Sequence, residues 1–187
     1  MLDIVSHYLD NSSTITITVL VLLSTYFILS IWIYIYKTLS LNESINQELY
    51  ALNSLIQRNS RINPLTTMGS FIESKDTSKE MLDIYELSMI RDASSGLSWQ
   101  SIIASTAPFI GLFGTVVGIL ESFASFKNVA KVSFTAIAPV ISEALIATAA
   151  GILVAIFAYT FQQILTRKIY ILNTYIKSQI NIVLSRN

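Results

Sequence analysis

The fold this sequence predicts is an all-α integral membrane protein with three transmembrane helices and helical cytoplasmic extensions. Two observations carry that prediction. Charged residues make up 13% of the 187, and hydrophobic residues 52%, whereas a soluble domain carries about 25% charged residues. The charges are also unevenly placed: none falls between Asp10 and Lys37, none between Asp92 and Glu121, and only Glu143 interrupts the stretch from Lys131 to Arg167. Each of these windows exceeds the roughly 20 apolar residues that cross a bilayer.

The elements follow in order. Residues 1–13 form an N-terminal segment outside the cytoplasm. The first span covers 14–36; Asp3 and Asp10 precede it without any Lys or Arg, and its apolar run is too long for a signal-peptide core, so it is expected to stay on the mature protein. A cytoplasmic helical loop occupies 37–100. There Leu41, Ile45, Leu49, Leu52 and Ile56 keep a helical spacing that predicts continuation of the first helix toward Pro64. Thr77 and Glu80 have capping-box spacing and open a second helix, with Met81, Ile84, Tyr85 and Ser88 on one face, running toward Gly96. The second span covers 101–122, a periplasmic loop 123–137, the third span 138–164, and a cytoplasmic tail 165–187.

Orientation follows from the basic residues. Ten of the twelve, Lys37, Arg58, Arg61, Lys75, Lys79, Arg91, Arg167, Lys168, Lys177 and Arg186, fall in the first loop and the tail, against Lys127 and Lys131 in the other loop. Basic residues are retained on the cytoplasmic side, so the N-terminus is expected outside and the C-terminus inside. Trp32, Tyr34, Tyr36 and Trp99 stand where interfacial aromatics are expected.

The composition also excludes function classes. Twelve basic and twelve acidic residues leave no net charge to attract nucleic acid. With no Cys and a single His7, thiolate chemistry and His-based metal sites are removed as well. No phosphate loop or nucleophile elbow is present, so neither an enzyme nor a cofactor is expected.

The second and third spans carry the unusual pattern. Three of the six glycines, Gly111, Gly114 and Gly118, lie within eight residues, although Gly within a helix costs about 1 kcal/mol relative to Ala. Gly111, Thr115, Gly118 and Ser122 form one stripe, and Ala144, Thr148, Gly151 and Ala155 repeat the same offsets with Ala147 and Ala150 beside them. Such stripes let helices approach closely or wall a cavity. Counting about 1.5 Å of rise per residue from the outer ends puts Thr115 and Thr148 at similar depths. Their hydroxyls can both donate and accept without a permanent charge. Glu143 lies about one turn inside the third span, where a carboxylate costs about 2.5 to 3.5 kcal/mol and usually faces a bundle interior or wet cavity; the alternative is that it snorkels to the outer interface. One carboxyl cannot carry a proton across the bilayer, so conduction requires a titratable group from a partner helix. A non-conducting scaffold assembled by small-residue packing is the other reading.

The segments Ala107-Pro-Phe-Ile-Gly-Leu-Phe-Gly-Thr-Val-Val-Gly118 and Ala138-Pro-Val-Ile-Ser-Glu-Ala-Leu-Ile-Ala-Thr-Ala-Ala-Gly151 resemble those of the ExbB/TolQ family, relatives of the flagellar stator subunit MotA. The three-span topology fits the ExbB/TolQ branch, since MotA-type subunits have four spans. The resemblance implies a homo-oligomer, a pentamer, in the bacterial inner membrane around two helices of an ExbD/TolR-like single-span partner with an intramembrane Asp. It implies a proton-driven motor subunit serving a TonB- or TolA-like client, in TonB-dependent uptake or Tol-Pal envelope maintenance. By motif match, Thr115 and Thr148 would line the proton route and Glu143 the pore, with the shuttling aspartate on the partner. Val117 departs from the pattern, standing where many relatives have Trp, and the cytoplasmic segments are shorter than in the best-known members.

Overall fold

The computed structural model describes residues 14–56, 79–125 and 134–185, and these are almost wholly helical. Four helices are present among them: α1 (Thr14–Ile56), α2 (Lys79–Ser94), α3 (Leu97–Ser125) and α4 (Phe134–Leu184). Three helical stretches are long and apolar enough to cross a membrane. The expected N-terminal segment, the stop at Pro64, Thr77 of the capping pair and residues 126–133 of the outer loop lie outside the described residues.

The helices contribute to two compact units. One comprises Met1–Trp32 and Trp99–Phe161, the other Ile33–Ser98 and Gln162–Asn187. In the first, the usual soluble arrangement is inverted. Ala107, Ala144, Ala147 and Ala158 are buried beside Val19, Leu23, Ile103 and Val154, while Phe109, Phe113, Leu120 and Ile156 are exposed. Lipid tails are as apolar as these large side chains, so burying them gains little, and close backbone packing between small residues holds the helices together instead. A polar tie joins α1 to α3 in this interior: Ser30 Oγ donates to Gln100 Oε1 at 2.8 Å, and Gln100 Nε2 donates to the Ser30 carbonyl at 2.7 Å. Both residues are fully buried, and each satisfies the other.

The second unit is built as a soluble bundle. Leu41, Leu82, Tyr85, Leu165, Leu172 and Ile176 form its core. The buried seam of α1 follows Leu41, Glu48, Ala51 and Leu55; of the apolar residues that predicted the helix, Ile56 is exposed and Leu49 and Leu52 are half-buried. Glu48 takes a core position that apolar spacing alone passes over. On α2 the buried face is likewise Leu82, Tyr85 and Ala93, with Ile84 and Ser88 exposed. That helix ends at Ser94, two residues before Gly96, whose φ of 91° suits a residue without Cβ. Lys37 Nζ closes the end by donating to the Asp92 carbonyl at 3.1 Å and to Ser95 Oγ at 2.5 Å.

Candidate functional site

The contact between α3 and α4 is set by glycine. A Cβ at Gly111 would stand 2.6 Å from the Ala147 carbonyl oxygen, and one at Gly151 would stand 2.6 Å from the Ala107 carbonyl oxygen. Only a hydrogen fits at either position, so the two backbones touch. A Cβ at Gly114 would stand 3.0 Å from Val19 of α1 and 3.2 Å from Ala147, whereas one at Gly118 would have more room, 3.4 Å from Ala144. Ala144 and Ala147 are buried in the same seam, and Ala155 is half-buried against the core. Ser122 turns its hydroxyl back onto the Gly118 carbonyl at 2.8 Å. The stripes therefore meet each other within the chain. Gly111, Gly114, Gly118, Ala144, Ala147 and Gly151 line this contact between α3 and α4.

This close approach brings the two threonines together. Thr115 Oγ1 and Thr148 Oγ1 are 2.5 Å apart, across 33 residues of sequence. Thr115 Oγ1 also lies 2.9 Å from the Ala144 carbonyl and 3.3 Å from that of Gly111, while Thr148 Oγ1 lies 3.2 Å from the Gly111 carbonyl. Each hydroxyl has one proton to give, so the pair has two orderings. Thr148 donates to Thr115 and Thr115 to Ala144, or Thr115 donates to Thr148 and Thr148 to Gly111. Reversing between them moves no heavy atom. Thr115 is buried and Thr148 half-buried, so the pair sits at the margin of the packed seam.

Glu143 is half-buried one residue before Ala144, whose carbonyl accepts from Thr115. Five residues separate it from Thr148, about 7.5 Å along α4. The threonines and the glycines of the motif are thus assembled at one level of the bundle, with the carboxylate about a turn and a half away. Sequence reasoning missed Ser30 and Gln100. The available signal was Gln100, an amide set at the mouth of a charge-free window.

Residues 44–178 match the model of the MotA/TolQ/ExbB proton channel family. The chain belongs to that family. It is 40% identical, over the whole length of both chains, to a Helicobacter pylori protein described as biopolymer transport protein ExbB-like 1. A biopolymer transport protein ExbB of Pseudomonas putida is 44% identical over 79 residues, which is 42% of this chain and 24% of that protein. The Tol-Pal system protein TolQ of Pseudomonas aeruginosa is 37% identical over 98 residues, covering 41% of this chain and 42% of TolQ. Family membership and three membrane-competent helices make this a multi-pass inner-membrane protein and a subunit of an energy-transducing complex. Its relatives are transport-associated channel and motor subunits rather than known enzymes.

Proposed function

We propose that the chain is the proton-channel subunit of an inner-membrane motor that couples the proton motive force to a TonB- or TolA-type client. The observation that carries this reading is the Thr115–Thr148 hydroxyl pair, 2.5 Å apart where α3 and α4 meet. A hydroxyl that accepts on one side and donates on the other hands on a proton without holding charge, and the two orderings of this pair provide that reversal. Glu143 shapes and hydrates the route about a turn and a half away. The titrating carboxyl is an Asp on an ExbD/TolR-like single-span partner, two copies of which stand inside a pentamer of this chain. The N-terminus and the 123–137 segment face the periplasm, with the 37–100 loop and the tail in the cytoplasm. The spans are 14–36, 101–122 and 138–164. Each proton crossing 100 mV releases about 2.3 kcal/mol, so work on a client takes several protons per cycle.

The test is proton flux into liposomes holding the chain and its partner. Thr148→Val keeps the shape and removes the hydrogen bonding; flux should vanish with assembly intact, and Thr148→Ser should restore part of it. Full flux through Thr148→Val would refute the route. The backbone contact at Gly111 and Gly151 also favours a second reading, a non-conducting scaffold, for which no variant and no partner would produce flux.

A further inference from the structure

Glu48 occupies a core position of the second unit, 1% exposed, beside Gln179, which is fully buried. Gln179 Nε2 donates to Glu48 Oε2 at 2.8 Å and to the Glu48 carbonyl at 3.0 Å. Its other amide atom, Oε1, is buried and accepts nothing. Among the described residues no cation pairs with the Glu48 carboxylate. Lys177 of α4 is taken by Glu86 of α2 at 3.3 Å, Lys168 of α4 by Asn42, and Lys37 of α1 by Asp92 and Ser95. The titratable neighbour from α2 is Tyr85, and Glu43 on α1 is exposed.

A buried carboxylate without a cation is unfavourable, and here a buried acceptor lies unfilled beside it. One added hydrogen answers both. On the neutral acid, the O–H is the donor that Gln179 Oε1 lacks, while Gln179 Nε2 keeps its bond to the other carboxyl oxygen. We propose that this cluster is a proton-binding latch: with the proton on Glu48, a reciprocal acid–amide pair ties α1 to α4, and its release leaves a buried charge that loosens the unit. The proposal takes from the functional reading only that this unit faces the cytoplasm. Protons delivered to that side would tighten it.

The sign of the pH dependence follows from burial. Burial raises the Glu48 carboxyl above its ordinary 4.5, against the opposing hydrogen bond from Gln179 and the neighbouring Tyr85 hydroxyl. A raised carboxyl pKa means that the folded unit holds the proton more tightly than the unfolded chain. The penalty is absent below about 4.5, grows as pH rises toward the raised value, and is complete above it.

The experiment is hydrogen–deuterium exchange of the full chain in lipid nanodiscs, corrected for intrinsic rates, between about pH 5 and 8. Conduction plays no part in it, so a failed flux assay and a failed latch are told apart. Segments 41–55 and 172–183 should exchange at least about tenfold faster at the high end. Glu48→Gln can form the same pair as a reciprocal amide couple, and its exchange should be slow at every pH. Glu43→Gln should behave as the parent. Tyr85→Phe removes a neighbouring hydroxyl that favours the charged form and should move the midpoint upward, which decides the matter should Glu48→Gln fail to fold. A flat parent profile, a pH response kept in Glu48→Gln, or an unmoved midpoint in Tyr85→Phe would overturn the latch.

Discussion

Adding one methyl group at Gly111 should cost stability, whereas the same change at Gly118 should add to it. The new Cβ at Gly111 falls 2.6 Å from the Ala147 carbonyl oxygen and 3.0 Å from Thr148 Cα. Both are backbone atoms, so no rotamer change relieves the contact. Restoring an ordinary 3.4 Å separation requires α3 and α4 to part by about 0.8 Å. A gap of roughly 0.5 to 1 Å forfeits a quarter to a half of each dispersion contact along the seam. Overpacking of this kind costs about 1 to 3 kcal/mol, and the helix preference of Ala over Gly returns about 1 kcal/mol. Gly111→Ala should therefore lose up to about 2 kcal/mol. At Gly118 the added Cβ meets Ala144 at 3.4 Å and Thr16 Oγ1 at 3.7 Å, ordinary contacts, so only the propensity gain remains. The two variants should differ by about 1 to 3 kcal/mol in unfolding titrations with SDS in mixed micelles, followed by helical circular dichroism. Equal stabilities, or Gly111→Ala the more stable, would show that the backbones do not touch as described. The parting of the helices also stretches the 2.5 Å hydroxyl pair, so flux through Gly111→Ala should fall together with stability.

Three further outcomes are expected. Gln100→Leu removes both bonds of a fully buried reciprocal pair and should destabilise the chain by about 1 to 3 kcal/mol in the same titration; no loss would mean that the pair is spectator packing. Glu143→Gln keeps volume and polarity without ionising, so if Glu143 only shapes the route it should support flux, while Glu143→Ala should not; equal inactivity of both would assign it a titrating role. The chain has no native Cys, so single cysteines at Ser60 and Ser125 can be labelled from either face with an impermeant reagent. Only Ser125 should react in intact spheroplasts, and reaction of both would defeat the proposed topology.

The helices of the first unit were legible because the bilayer demands something coarse, long stretches free of charge, and the 26 residues between Asp10 and Lys37 satisfy it without any pairing information. The similar depth of Thr115 and Thr148 was also readable, since depth along a helix follows from counting residues, but their contact was not. Nor was what the stripes face. Small residues look the same in sequence whether they wall a cavity or pack on a neighbouring helix; the contact within the chain shows only in the structure, where a Cβ at Gly111 would stand 2.6 Å from the Ala147 carbonyl oxygen. Glu48 was hidden for a related reason. A search for apolar spacing skips a charged residue, yet Leu41, Ile45, Glu48, Leu52 and Leu55 have heptad spacing, and the carboxylate is admitted to the core by Gln179, 131 residues away. Long-range pairs leave no local trace.

The Ser30–Gln100 pair bears on how the chain enters the membrane during synthesis. Its two halves are 70 residues apart, so at 5 to 20 residues per second the first helix waits roughly 4 to 14 s for its companion. A serine survives that wait, because its hydroxyl can bond back to its own helix as Thr25 does to the Val21 carbonyl at 2.9 Å. A glutamine amide buried without its partner has no comparable refuge. The first helix is thus the receptor already in place when the second leaves the translocon, and the costly side chain arrives only where its partner is waiting.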